Sequence, residues 1–200
     1  MNYVKGQFVC LPYMPKFHSA LKYTDTLVYV ALRSFDNEYN GCYPAYETIA
    51  KRAGCNRLFV INAIKRLELN GLIQVKRSKK IKTVNRYTFT PEYMFEQIPY
   101  QFFDANDLTL YEKSMLLCIR RLYRQYNLAY IGSLKTLARS VGLTYKVVHK
   151  HISSLITKGY IVKVEGRIKN KSRLTDKIDW PWDYNGIFKP TPISPKLIVG

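Results

Sequence analysis

Apolar positions along the 200-residue chain follow two rhythms, one of three to four residues and one of two. Leu27, Val28, Ala31, Leu32 and Phe35 return at the spacing of one helical face and predict a first helix over 22–35. The polar run Asp36-Asn37-Glu38-Tyr39-Asn40-Gly41 breaks it. Pro44 suits the start of a short second helix carrying Tyr46, Ile49, Ala50 and Ala53, because the N–H that proline lacks has no partner there. Gly54 ends that helix, since glycine enters the left-handed conformation of a helix terminus without steric cost. Asn56 can cap a third helix, 57–70, whose buried stripe is Val60, Ala63, Ile64 and Leu67. After Gly71 the period falls to two. Ile73 and Val75 open a strand, Lys79-Lys80-Ile81-Lys82 turns, and Val84, Tyr87 and Phe89 return.

The same pattern comes round again. Shifted by 88, residues 45–73 align without a gap onto 133–161, with Thr48/Thr136, Ala50/Ala138, Gly54/Gly142, Val60/Val148, Ile64/Ile152, Leu67/Leu155, Gly71/Gly159 and Ile73/Ile161 identical. Upstream, a shift of 87 matches Phe8/Phe95, Leu11/Ile98, Pro12/Pro99, Tyr13/Tyr100 and Leu21/Leu108. In the second copy Thr109 and Glu112 have capping-box spacing ahead of Met115, Leu116, Ile119 and Leu122. A short strand is expected over 128–131, Gly142 ends the second helix, Thr144 caps the third, and Tyr160 to Val164 open another hairpin.

Three helices with a glycine-punctuated turn, then a hairpin, describe a winged helix-turn-helix. The expected class is α+β, mainly α: two tandem winged helix-turn-helix domains, each of three helices and a β-hairpin wing. The expected boundaries are 1–90 for the first domain with an N-terminal strand, 91–179 for the second, and 180–200 for an extended tail with Pro181, Pro190, Pro192 and Pro195. In such a module the third helix enters a major groove and the wing reaches the flanking backbone.

Charge bears on this reading. The chain carries 32 Lys+Arg against 14 Asp+Glu, a formal net charge of +18. Residues 51–90 hold eleven basic side chains against Glu68, and 112–177 hold fifteen against three acids. Between them, 91–111 has Glu92, Glu96, Asp104 and Asp107 and no cation, an acidic joint. Each basic block coincides with one copy of the module, so a nucleic acid is the expected polyanion rather than a membrane surface. The expected DNA-facing residues of the first copy are Asn56, Arg57, Asn62, Lys65 and Arg66 on the third helix, with Lys76, Arg77, Lys79, Lys80 and Lys82 on a basic wing that also carries Arg86. Those of the second are Tyr145, Lys146, His149, Lys150 and Ser153 on the helix, with Arg167, Lys169, Lys171 and Arg173 alternating along the wing. Lysines on phosphate bring affinity without sequence information, whereas Tyr145 and His149 suit base edges. Leu58, Phe59 and Ile61 on the first reading helix are unusually apolar. They either pack on neighbouring segments or form a protein interface.

The run Tyr43-Pro44-Ala45-Tyr46-Glu47-Thr48-Ile49-Ala50, with Gly54, Val60, Ala63 to Leu67 and Gly71-Leu72-Ile73, resembles the winged helix-turn-helix domains of phage and plasmid replication proteins. The wing return Asn85-Arg86-Tyr87-Thr88-Phe89 and the approach Phe8 to Pro12 are similar to that group too. The resemblance implies a role in replication initiation or its control. Transcription regulation is the rival within DNA binding, and a protein-binding scaffold the rival outside it.

No phosphate-cradling glycine loop ending in Lys-Ser/Thr and no Gly-x-Ser-x-Gly occurs, so an enzyme is not expected. Cys10, Cys42, Cys55 and Cys118, with three histidines, lack metal-ligand spacing, and no cofactor, metal or small-molecule ligand is expected. Partners expected are double-stranded DNA and, beyond it, a second copy or replication machinery. No apolar run reaches membrane-span length, which fits a cytoplasmic, DNA-associated protein of a bacterial host.

Overall fold

The computed structural model describes residues 7–12, 20–37, 39–78, 84–91, 95–125, 129–164 and 171–180, with backbone only over 121–131. These residues form a mixed α/β fold. In chain order the elements are β1 (Phe8–Pro12), α1 (Asp25–Arg33), α2 (Tyr46–Ala53), α3 (Arg57–Leu69), β2 (Ile73–Lys76), β3 (Arg86–Phe89) and β4 (Phe95–Pro99). A 3-10 turn (Tyr100–Asp104) leads into α4 (Leu110–Gln125), β5 (Ala129–Ile131), α5 (Leu134–Val141), α6 (Tyr145–Thr157), β6 (Ile161–Lys163) and β7 (Lys171–Leu174).

Local chemistry sets most boundaries. The first helix is shorter than its apolar stripe predicts. Lys22 to Thr24 form a turn, and the Asp25 carboxylate accepts from the Lys22 N–H at 2.9 Å instead of leaving it to a helical carbonyl. At the other end, the Ser34 hydroxyl donates to Ala31 O and the Phe35 N–H to Leu32 O, tightening the last turn. The second helix begins at Tyr46, two residues beyond Pro44. Ala45 is extended and caps it without a side-chain bond, whereas Ser133, at the matching place before α5, accepts from Thr136 N. Gly54 and Gly142 both sit at φ 68°, the left-handed turn from each second helix to the third. Asn56 and Thr144 cap α3 and α6 through their side chains. The Thr109–Glu112 box forms in both directions, at 2.7 and 3.3 Å between each backbone N–H and the other's side-chain oxygen.

α1 is buried on every side from Asp25 to Leu32, because α2 and α3 cover one flank, β1 another and α4 a third. An all-round apolar helix needs such cover. One contiguous core runs from Val9 and Leu11 through Leu27 and Leu32 to Met115, Leu155 and Trp180.

The N-terminal strand does not join the wing that follows in its own half of the chain. β1 pairs with β4, antiparallel, with Phe8 opposite Pro99, Cys10 opposite Gln97 and Pro12 opposite Phe95. Because Phe8 matches Phe95 and Pro12 matches Pro99 in sequence, this register is the one a local two-fold axis passing between Cys10 and Gln97 would produce. Over its described residues 95–111 the acidic joint is therefore folded structure. Glu96 and Arg120 meet at 3.1 Å with about 1% exposure each, and Asp107 accepts from Tyr160 Oη at 2.6 Å. β2 and β3 make the first hairpin, and β5-β7-β6 a three-stranded sheet.

Candidate nucleic-acid interface

The two third helices differ in what they offer to solvent. On α6 the side chains of Tyr145, Lys146, His149, Lys150 and Ser153 are all exposed, while Val148, Ile152 and Leu155 are buried beneath them. The Tyr145 and His149 rings lie side by side, centroids 5.7 Å apart. The helix has no carboxylate of its own, and no ion pair among the described residues engages Lys146 or Lys150. His151 faces elsewhere, half-buried and stacked on Tyr111 at 6.1 Å.

On α3 most of the expected cations already have partners. Arg57 Nε donates to Glu47 Oε1 on α2 at 2.6 Å, both groups exposed. Arg66 forks onto Asp25 at 2.8 and 2.7 Å; its side chain is 19% exposed and the aspartate 0%. Arg77 on the wing is held by Glu68, whose carboxyl that contact keeps below the usual range. Asn56 is spent on capping α3. Of the expected residues on this helix, Asn62 and Lys65 remain exposed without such a bond or ion pair among those described. The apolar trio separates: Phe59 packs against the core, Ile61 is half-buried, and Leu58 is two-thirds exposed.

In the wings, Lys76 and Arg86 are exposed and directly opposite each other in the β2–β3 ladder. Lys171 is half-buried and Arg173 exposed on β7, two residues apart and so on one face. Lys79, Lys80, Lys82, Arg167 and Lys169 lie outside the described residues, as does the tail beyond Trp180. Trp180 itself is buried against Phe102, under the Arg120 guanidinium.

Residue pattern alone misses the anchoring of the third helices. Asp25 opens α1 and Glu112 lies in the first turn of α4, 87 residues on, and each accepts from the third helix of its half. Asp25 takes Arg66, and Glu112 takes Ser154 Oγ and Lys158 Nζ, the latter at 2.8 Å. Ser154 stands 88 residues after Arg66, so a short acid with a long base is exchanged for a longer acid with a short hydroxyl. Burial pushes the Glu112 carboxyl up, but the bonds from Lys158, Ser154 and Thr109 outweigh it and hold it down at about 2. The matching acids at the 87-residue shift were the available signal.

A left-handed glycine turn joining two short helices, the second capped and followed by a hairpin, is the geometry of a helix-turn-helix. Residues 20–73, from the approach to α1 to the first residue of β2, match the family described as a helix-turn-helix domain. That match suggests DNA binding, with double-stranded DNA as the partner. Searches of curated proteins and of solved structures each gave no match. Among the described residues no helix is long and apolar enough to cross a membrane.

Proposed function

We propose that the chain is a sequence-specific double-stranded DNA-binding protein of two tandem winged helices, with α6 as its principal reading surface. The observation that carries this is the outward face of α6. Two lysines without ion pairs among the described residues flank a tyrosine–histidine pair on a helix free of carboxylates. Lys146 and Lys150 would hold phosphates, and Tyr145 and His149 would reach base edges.

The tandem reading is supported by the recurring element order and by the β1–β4 register. On this reading the chain is a pseudo-dimer, able to engage two major-groove segments about one helical turn apart. Replication initiation or its control on phage or plasmid DNA is the favoured role, on the Tyr43 to Ala50 motif and the Asn85-Arg86-Tyr87 wing ending. A second reading, a protein contact made by the first module, is favoured by Leu58 and Leu69, 66% and 84% exposed on a helix whose arginines are paired.

The test is selection of bound sequences from a random duplex pool, followed by salt titration of the selected site. Repeated sites support an initiator and a promoter-like single site a regulator. Absence of binding and of a negative salt slope at moderate salt refutes duplex recognition. Lys146→Ala with Lys150→Ala is expected to weaken all sequences and to flatten the log–log salt slope by about 2. An unchanged slope would remove α6 from the contact surface.

A further inference from the structure

The outer face of the first sheet carries a feature that duplex reading by α6 does not use. Cys42 and Tyr87 form an isolated antiparallel bridge, with the Tyr87 N–H donating to Cys42 O at 2.8 Å. Cys42 thereby joins the edge of the two-stranded β2–β3 hairpin through a single bridge. Side chains alternate across a sheet, and burial follows that rule. Cys42, Tyr87, Phe89 and Ile73 point inward, while Tyr43, Arg86, Lys76, Thr88 and Gln74 are exposed. Lys76 is opposite Arg86 in the ladder, and the Arg86 guanidinium lies 5.9 Å from the centroid of the Tyr43 ring. Two cations and an aromatic ring thus form one cross-strand row about 10 Å long, from two strand spacings of about 4.8 Å. Ladder pairing holds Lys76 and Arg86, Tyr43 directly follows the bridged Cys42, and none of the three is in an ion pair among the described residues.

We infer that this Lys76–Arg86–Tyr43 row is a second nucleic-acid surface, one that holds a single strand. An exposed sheet face combining cations with an aromatic ring is how proteins bind unpaired nucleotides. Phosphates take the cations, and a base takes the ring, which needs an uncovered π-face that paired bases do not present. Tyr43 is 46% exposed with the Arg86 guanidinium over its ring, so a base would stack on the face away from Arg86. Arg86 beside it adds a cation–π contribution. A solvated wing would need no aromatic aligned with the cations. The inference goes beyond duplex reading by α6, and the two can fail separately.

The test uses the full chain and a fluorescently labelled oligo-dT 20-mer, followed by anisotropy at several salt concentrations, with the selected duplex in parallel. Tyr43→Ala is expected to weaken oligo-dT binding roughly 5- to 150-fold, the worth of one stacked base. Tyr43→Phe should retain most of it. Lys76→Gln with Arg86→Gln should flatten the single-strand salt slope by about 1.4. Duplex affinity should respond to the α6 lysines and not to Tyr43. Three results would overturn the inference: no oligo-dT binding at low salt, Tyr43→Ala binding like wild type, or Tyr43→Ala weakening duplex and single strand equally. Circular dichroism melts of each variant confirm that the exposed substitutions leave the fold intact.

Discussion

Arg66 separates two roles that look alike on a helical wheel. Its sequence position suits a DNA contact, yet the structure makes it a strut between α3 and the fully buried Asp25. Replacing it in Arg66→Gln keeps a polar side chain and removes the charge, leaving the carboxylate buried against an amide. Breaking one side of a buried ion pair costs about 3–5 kcal/mol. Asp25 still accepts from the Lys22 N–H, and the arginine is 19% exposed, both of which place the loss near about 3 kcal/mol. For a chain of this size that corresponds to a melting temperature lower by about 6–12 °C. Urea unfolding at neutral pH measures it, with Lys65→Gln next door as an exposed control expected to stay within about 0.5 kcal/mol. Asp25→Asn combined with Arg66→Gln should recover part of the loss, because neither partner is then a buried lone charge. Duplex affinity, measured where the variant is folded, should be unchanged. Wild-type stability accompanied by lost DNA affinity would refute the assignment and return Arg66 to the DNA surface.

Two further predictions concern the same framework. Glu112 has a folded pKa of about 2, below its unfolded value of about 4.5, so the unfolded chain binds its proton first. Its contribution is complete above about pH 4.5 and is lost as pH falls toward 2. That window is worth about 3 kcal/mol at about 1.4 kcal/mol per pKa unit. Glu112→Gln should flatten the stability-versus-pH curve there in urea melts, and an unaltered curve would show that other carboxylates set the acid transition. Gly54→Ala should cost about 1–2 kcal/mol through its positive φ alone, since a Cβ there meets nothing within 4 Å. Gly54→Asn should cost less, and equal thermal melts for the two would contradict a purely conformational origin.

The parts of the fold legible in sequence are those fixed by neighbours. Glycines at the helix-helix turns, the Asn56 and Thr144 caps and the Thr109–Glu112 box act over three or four residues, and each stands where its spacing places it. What the pattern hides depends on partners far along the chain. A basic residue off the apolar stripe looks solvated until a carboxylate is found for it, and Arg66 finds Asp25 41 residues away. The acids of 91–111 look like a spacer until Arg120 and Tyr160 are seen beside Glu96 and Asp107. On α6 no carboxylate among the described residues pairs with Lys146 or Lys150, and both stay exposed.

The β1–β4 ribbon carries a consequence for synthesis. Residues 8–12 leave the ribosome ahead of their partner strand, which follows about 87 residues behind. At roughly 5–20 residues per second, β1 waits on the order of 4–17 s with an open edge while the helices of its own half assemble. Closing so distant a pair is slow for entropic reasons and exposes an unpaired strand meanwhile. A fragment cut at residue 90 would keep that edge open permanently, a template for self-association. Dissection of the chain must therefore keep both strands of the ribbon or remove both.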